Sequence, residues 1–168
     1  MFIQILTIFD KAQGLINIQD ILAALSEKPQ IIDEENNQGS KVRCIYSFHQ
    51  AGLSLSINED EKLCKAMFYV QKDEIFKKFV DHSVYFNNID TLDKAEKTLG
   101  KPTRQLSKND FIFYYFQTSH YWQVLKFSLQ QQLLTLSIFL KRQLLQVSFK
   151  SCIQPDLLAR LTQPLFNI

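Results

Sequence analysis

Residues 52–70, GLSLSINEDEKLCKAMFYV, and residues 122–140, WQVLKFSLQQQLLTLSIFL, follow one plan: an alternating apolar run, a polar turn, then a second apolar run. In the first stretch Leu53, Leu55 and Ile57 alternate with polar neighbours, Asn58-Glu59-Asp60-Glu61 supplies the turn, and Leu63 to Val70 continues. In the second, Leu125, Phe127 and Leu129 share one side of a strand and Leu134, Leu136, Ile138 and Leu140 one side of the next. Successive side chains of a strand point to opposite faces, so a period of two marks a half-buried strand. A duplicated segment would leave this likeness. So would two unrelated hairpins shaped by the same local physics, and both readings stay open at this point.

Working outward, Val42 to Phe48 precedes the first hairpin across Gln50-Ala51-Gly52, which predicts a three-stranded meander. Phe111 to Phe116, Tyr121 to Leu129, Leu133 to Leu140 and Leu144 to Phe149 predict a second one, jointed at Thr118-Ser119, Gln130-Gln131 and Lys141-Arg142. Between them lies the best-marked helix, in NNIDTLDKAEKTLGKPTR: Asp90 can cap it, Asp93 sits near its positive dipole end, Leu92, Ala95 and Leu99 share a face, and Gly100 with Pro102 ends it. At the N-terminus Phe2, Ile5, Leu6 and Phe9 fit a helical stripe, although the β-branched Ile3, Ile5 and Thr7 also suit a strand. A second helix carries Ile18, Ile21, Leu22 and Leu25, capped by Asn17 and stopped by Pro29. The segment QIIDEENNQGSK, residues 30–41, reads as a loop, DEIFKKFVDH as a short helix or irregular crossing, and QPDLLARLTQPL as a last helix. The fold class expected is α+β: antiparallel meanders of about seven strands with N-terminal, central and C-terminal helices.

Composition fits that class. The chain has 168 residues, 46% hydrophobic and 21% charged, with four Gly and four Pro, which excludes disorder of the whole chain and all low-complexity classes. One domain over 1–168 is expected, divisible into a helical lead-in at 1–29, two meanders around the central helix at 42–150, and a C-terminal helix at 151–168. The start, MFIQILTIFD, has no basic segment ahead of its apolar residues and therefore lacks the order of a secretory signal. No run approaches the roughly 18 apolar residues of a bilayer span. A cytoplasmic protein is expected.

Signals of catalysis are few. Cys44, Cys64 and Cys152 form neither a disulfide framework nor a CxxC knuckle, and His49, His82 and His120 belong to no HxH, HExxH or HxxxH pattern. GxSxG, GxxxxGK[ST] and GxGxxG are absent from the sequence. A nucleophilic pair such as Cys44 with His120 could meet only through the fold. No metal, no cofactor and no enzymatic activity are expected.

Charge says more. Residues 1–93 hold nine basic and fourteen acidic side chains, a net of −5, and residues 94–168 hold ten and three, a net of +7. Such an asymmetry steers encounters with charged partners. The acidic segments DEEN, with Asp33, Glu34 and Glu35, and NEDE, with Glu59, Asp60 and Glu61, suit contact with a basic protein. Tyr46 and Tyr85 are aromatic candidates for the same contact. In the second half Lys and Arg mix with Phe113, Tyr115, Tyr121 and Trp122, as on sheets that stack bases. Those basic residues are scattered along the chain, however, and no RNP motif accompanies them, so nucleic acid is not expected as a partner.

GLSLSINEDEKLCKAMFYV, the helix TLDKAEKTLGKPTRQL at 91–106, FYYF at 113–116 and WQVLKFSLQQQLLTLSIFL together resemble bacterial toxin-immunity proteins of the pyocin and contact-dependent growth-inhibition kind. The resemblance covers roughly residues 42–140. It implies a cytoplasmic protein that binds and neutralises the C-terminal domain of a cognate toxin, with the acidic loops steering a cationic nuclease. A secretion chaperone for an effector is the alternative interaction protein, and its mark would be an apolar groove for an unfolded segment.

Overall fold

The computed structural model describes residues 2, 5–7, 21, 23–25, 27–33, 42–59, 62–79 and 84–140. Eight antiparallel strands form one sheet: β1 (Gln30–Asp33), β2 (Val42–Phe48), β3 (Leu53–Asn58), β4 (Leu63–Tyr69), β5 (Arg104–Lys108), β6 (Phe111–Gln117), β7 (Tyr121–Ser128) and β8 (Leu133–Leu140). Their order across the sheet is β1-β2-β3-β4-β8-β7-β6-β5. The α+β class with antiparallel meanders is therefore the observed one. Two four-stranded meanders lie side by side, joined through their last strands.

Those meanders are built alike. In the β3–β4 hairpin Leu53 faces Phe68, Leu55 faces Ala66 and Ile57 faces Leu63, with an irregularity between Ser56 and Ile57. Adding 70 to each number gives the β7–β8 pairs Gln123 with Ile138, Leu125 with Leu136 and Phe127 with Leu133, and moves the irregularity to Lys126 and Phe127, where it is found. The turns match as well. Asn58 N–H donates to the Lys62 carbonyl at 2.9 Å while Asn58 Oδ1 accepts from Lys62 N–H at 2.8 Å. Ser128 and Gln132 repeat both bonds, at 2.9 and 3.2 Å. Met67 and Ser137 are equivalent by this rule and also face each other across β4 and β8. A two-fold axis normal to the sheet thus passes between them.

All of the main hydrophobic core lies on one side of the sheet. Phe48, Leu53, Leu55, Phe68, Leu125, Leu136 and Ile138 point there and are buried. Helical residues cover them: Phe2 and Ile5, then Ile21, then α1 (Val84–Asn87) and α2 (Leu92–Leu99). Phe2 meets Phe68 edge-on at 5.0 Å and Tyr85 and Phe86 at 4.7 Å, which ties the N-terminal helical residues to the segment entering the second half. Helical geometry at Phe2 and residues 5–7 decides between the two readings of that stretch. Ile21 and Ala95 are buried equivalents in the helices preceding β1 and β5, each spaced like its strand.

Three expectations need correction. Residues 30–33 form β1 rather than part of a loop, because QIID carries two β-branched residues that pair with Cys44 to Ser47 even though every side chain of the strand is exposed. Residues 104–108 form β5, a polar edge strand turned into β6 by Asn109 at φ 51°. The cap of α2 is Thr91, whose Oγ1 accepts from Lys94 N–H at 3.4 Å. Asp90 instead holds the Lys94 ammonium at 2.9 Å. Of the two readings of the next stretch, short helix or irregular crossing, residues 71–79 adopt the crossing, pinned by Asp73, whose carboxylate accepts from the N–H groups of Ile75 and Phe76. The strand expected at 144–149, the C-terminal helix and the cap Asn17 lie outside the described residues.

Candidate functional site

Antiparallel partners share a face, so the pairing register divides the sheet residue by residue. Opposite the core, β6 presents Phe111, Phe113 and Tyr115, β7 presents Trp122 and Lys126, β8 presents Phe139, and β5 presents Arg104 and Lys108. None of these belongs to the main core, and the five rings are half-buried. Lys65, Met67 and Tyr69 of β4 continue the same face into the first half. Among the described strand residues the one acid is Asp33, whose partner across the sheet, Cys44, is a core residue.

Cations and rings are organised together. Lys126 Nζ lies 3.7 Å from the ring centre of Phe111, Lys65 Nζ 5.2 Å from that of Phe139, and Arg104 Cζ 5.8 Å from that of Tyr115. Cation–ring contacts of this kind contribute about 0.5–1 kcal/mol each at exposed sites. They also limit where the long side chains can go. In the first half the face is closed at one end: Phe76 stacks on Tyr69 at 3.9 Å with planes 5° apart, and His49 meets Phe76 edge-on at 4.8 Å. Burial, with the Asp73 carboxylate nearby, raises the pKa of the Tyr69 phenol.

The residues expected from sequence fall elsewhere. Asp33 and Glu59 are exposed at the same end of the first meander, since Asp33 faces Cys44, which faces Ile57, two residues before Glu59. Glu34, Glu35, Asp60 and Glu61 lie outside the described residues. Tyr46 sits on the core side packed against the core, and burial together with the neighbouring Cys44 raises its pKa. Tyr85 packs on Phe2 and donates its hydroxyl hydrogen to Gln123 Oε1. Tyr121, grouped with Trp122 in the sequence, is buried on the core side. Cys44 and His120 are separated as well: β2 and β7 are four strands apart, about 19 Å at the usual spacing.

Parity along FIFYYFQ was the signal for this outer face. Phe111, Phe113 and Tyr115 occupy alternate positions, opposite to the buried Tyr114 and Phe116. What the linear sequence hides is that Arg104 and Lys126, far apart in the chain, flank these rings on adjacent strands.

No family model and no curated protein matches the chain. Among solved structures, a DUF4309 family protein from Bacillus subtilis aligns over 80% of this chain and 93% of its own, at 17% identity and a TM-score of 0.47. Among the described residues no helix is long and apolar enough to cross a membrane.

Proposed function

We propose that this chain is a binding protein of the immunity type, which holds a cognate toxin domain against the face of the sheet opposite the core and performs no reaction of its own. One observation carries the reading: Phe113, Tyr115, Trp122 and Phe139 are half-buried on the side away from the core and belong to no part of the core cluster. Aromatic residues and Arg are the side chains that concentrate binding energy at protein interfaces, because each buries much apolar area at little entropic cost. Eight strands of about seven residues span on the order of 800 Å², the size of one side of a standard protein–protein interface. The rigid ladder beneath them adds preorganisation.

The test is co-expression with the toxin domain encoded by the adjoining reading frame. Phe113→Ala with Trp122→Ala should abolish protection and weaken binding of the purified domain at least about tenfold, the size of a 1.4 kcal/mol loss. Tyr46→Phe, on the core side, should leave both unchanged. Full protection by the double variant, or no protection by a folded wild-type chain, would remove the proposal.

A further inference from the structure

Building on that reading, we infer that the partner presents an acidic surface to this face, not the basic one that the acidic loops suggested. Arg104 and Lys126 are held against Tyr115 and Phe111, and Lys65 and Lys108 share their side of the sheet. No described strand residue on that side is Asp or Glu. A docking protein must strip water from the Arg104 and Lys126 heads, and among protein side chains carboxylates offset that cost best, with close interfacial charge pairs coupling by roughly 1.5–7 kcal/mol. Cations already fixed over rings lose little further freedom when a carboxylate arrives. A polypeptide fits this layout better than a nucleic acid. Bases stack on open ring faces, whereas Phe111, Tyr115 and Phe139 each have a cation against one face.

Trp122 is the only tryptophan in the chain and lies on this face, so its emission reports occupancy directly. The full chain is titrated with poly-L-glutamate, poly-L-lysine and an oligothymidylate of about 20 nucleotides. Poly-L-glutamate should shift the Trp122 emission, binding should weaken about tenfold or more on moving from low to 0.3 M salt, and poly-L-lysine should do nothing. Arg104→Ser with Lys126→Ser should remove the response, whereas Arg104→Lys with Lys126→Arg should keep it, which separates charge from folding. Equal or tighter binding of poly-L-lysine, or an unchanged response in the double serine variant, overturns the inference. Oligothymidylate binding more than about tenfold tighter than poly-L-glutamate overturns it in favour of nucleic acid. If these arms fail while Phe113→Ala with Trp122→Ala still abolishes protection, only the acidic character of the partner falls. If that variant protects fully, capture on this face falls too.

Discussion

Placed over one another, the two meanders share a backbone and differ on one surface. Their core-side positions pair off as apolar with apolar in most cases: Leu55 with Leu125, Ala66 with Leu136, Phe68 with Ile138. On the other side the equivalents diverge. Ser47 corresponds to Tyr115, Ser56 to Lys126, Ile45 to Phe113 and Gln30 to Arg104. Packing constrains the inner residues of both halves in the same way, since each must fill space beneath helices. The outer positions lie away from those helices, yet Ser47, Ser56, Val124 and Ser137 there are buried and Phe113, Tyr115 and Trp122 half-buried, so the sheet's own side chains pack on this side too while the two halves present different chemistry on it. The β5–β8 half carries most of the rings and cations, and the β1–β4 half adds Lys65 and Tyr69 of β4 to a continuation that includes Ser47, Ser54 and Ser56 and is closed at one end by Phe76.

The largest test of this comparison is at the glycines. Gly52, at φ 64°, leaves no room for a side chain: an added Cβ would lie 2.3 Å from the Lys77 carbonyl oxygen and 2.5 Å from Phe79 N. Gly52→Ala should cost more than about 3 kcal/mol, or prevent folding, because strain at positive φ adds to a backbone clash. Gly100 in the second half, at φ 84° and ψ −173°, has open space around it but a backbone conformation essentially confined to glycine, so Gly100→Ala should cost about 1–3 kcal/mol from strain without a clash. Urea midpoints measure both. If the two losses are equal, Lys77 to Phe79 of the crossing segment do not press on Gly52.

Exchanging core residues between equivalent positions comes next. Leu136→Ala places the first half's residue in the second and should cost about 2–5 kcal/mol through the cavity it leaves. The reverse, Ala66→Leu, should cost about 1–3 kcal/mol by overpacking. A neutral result for both would mean that the halves are packed less tightly at the seam than full burial of both residues implies. Smaller still are the turns: Asn58→Ala and Ser128→Ala each remove one side-chain bond of the same geometry and should lose similar amounts, about 0.5–1.5 kcal/mol.

The smallest effect is confined to one half. Tyr69 has its phenol pKa raised by burial, whereas its counterpart Phe139 cannot titrate. The neutral form is favoured by folding, so the associated stability is present below the unfolded value near 10 and is lost as pH rises through the raised one. Tyr69→Phe should flatten the alkaline part of the stability profile, read from denaturant midpoints between about pH 9 and 11. A profile unchanged by that substitution would mean that the phenol is as open to water as an isolated tyrosine.

Much of this architecture was legible in the chain. Six strands announced themselves through alternation, and the helix at Leu92–Leu99 through its face and its Gly100 exit. The two edge strands were missed for one physical reason: QIID and RQLSK bury no face completely, so no apolar period marks them, and only the Asn109-Asp110 turn hinted at β5. The candidate site was less legible. Which residues alternate outward could be read from FIFYYFQ, but proximity of Arg104 to Tyr115, or of Lys65 to Phe139, depends on strand order and register. Acidic runs such as NEDE stand out in a linear string because they are contiguous. A surface assembled from single residues on neighbouring strands does not.

The seam between Met67 and Ser137 has a last consequence. Two separate copies of one such meander, docked last strand to last strand, would make the same eight-stranded sheet, but as a homodimer they would be obliged to display every side chain twice. Joining the copies in a single polypeptide lifts that obligation. One lobe is then free to specialise its outer skin while the other keeps the platform wide.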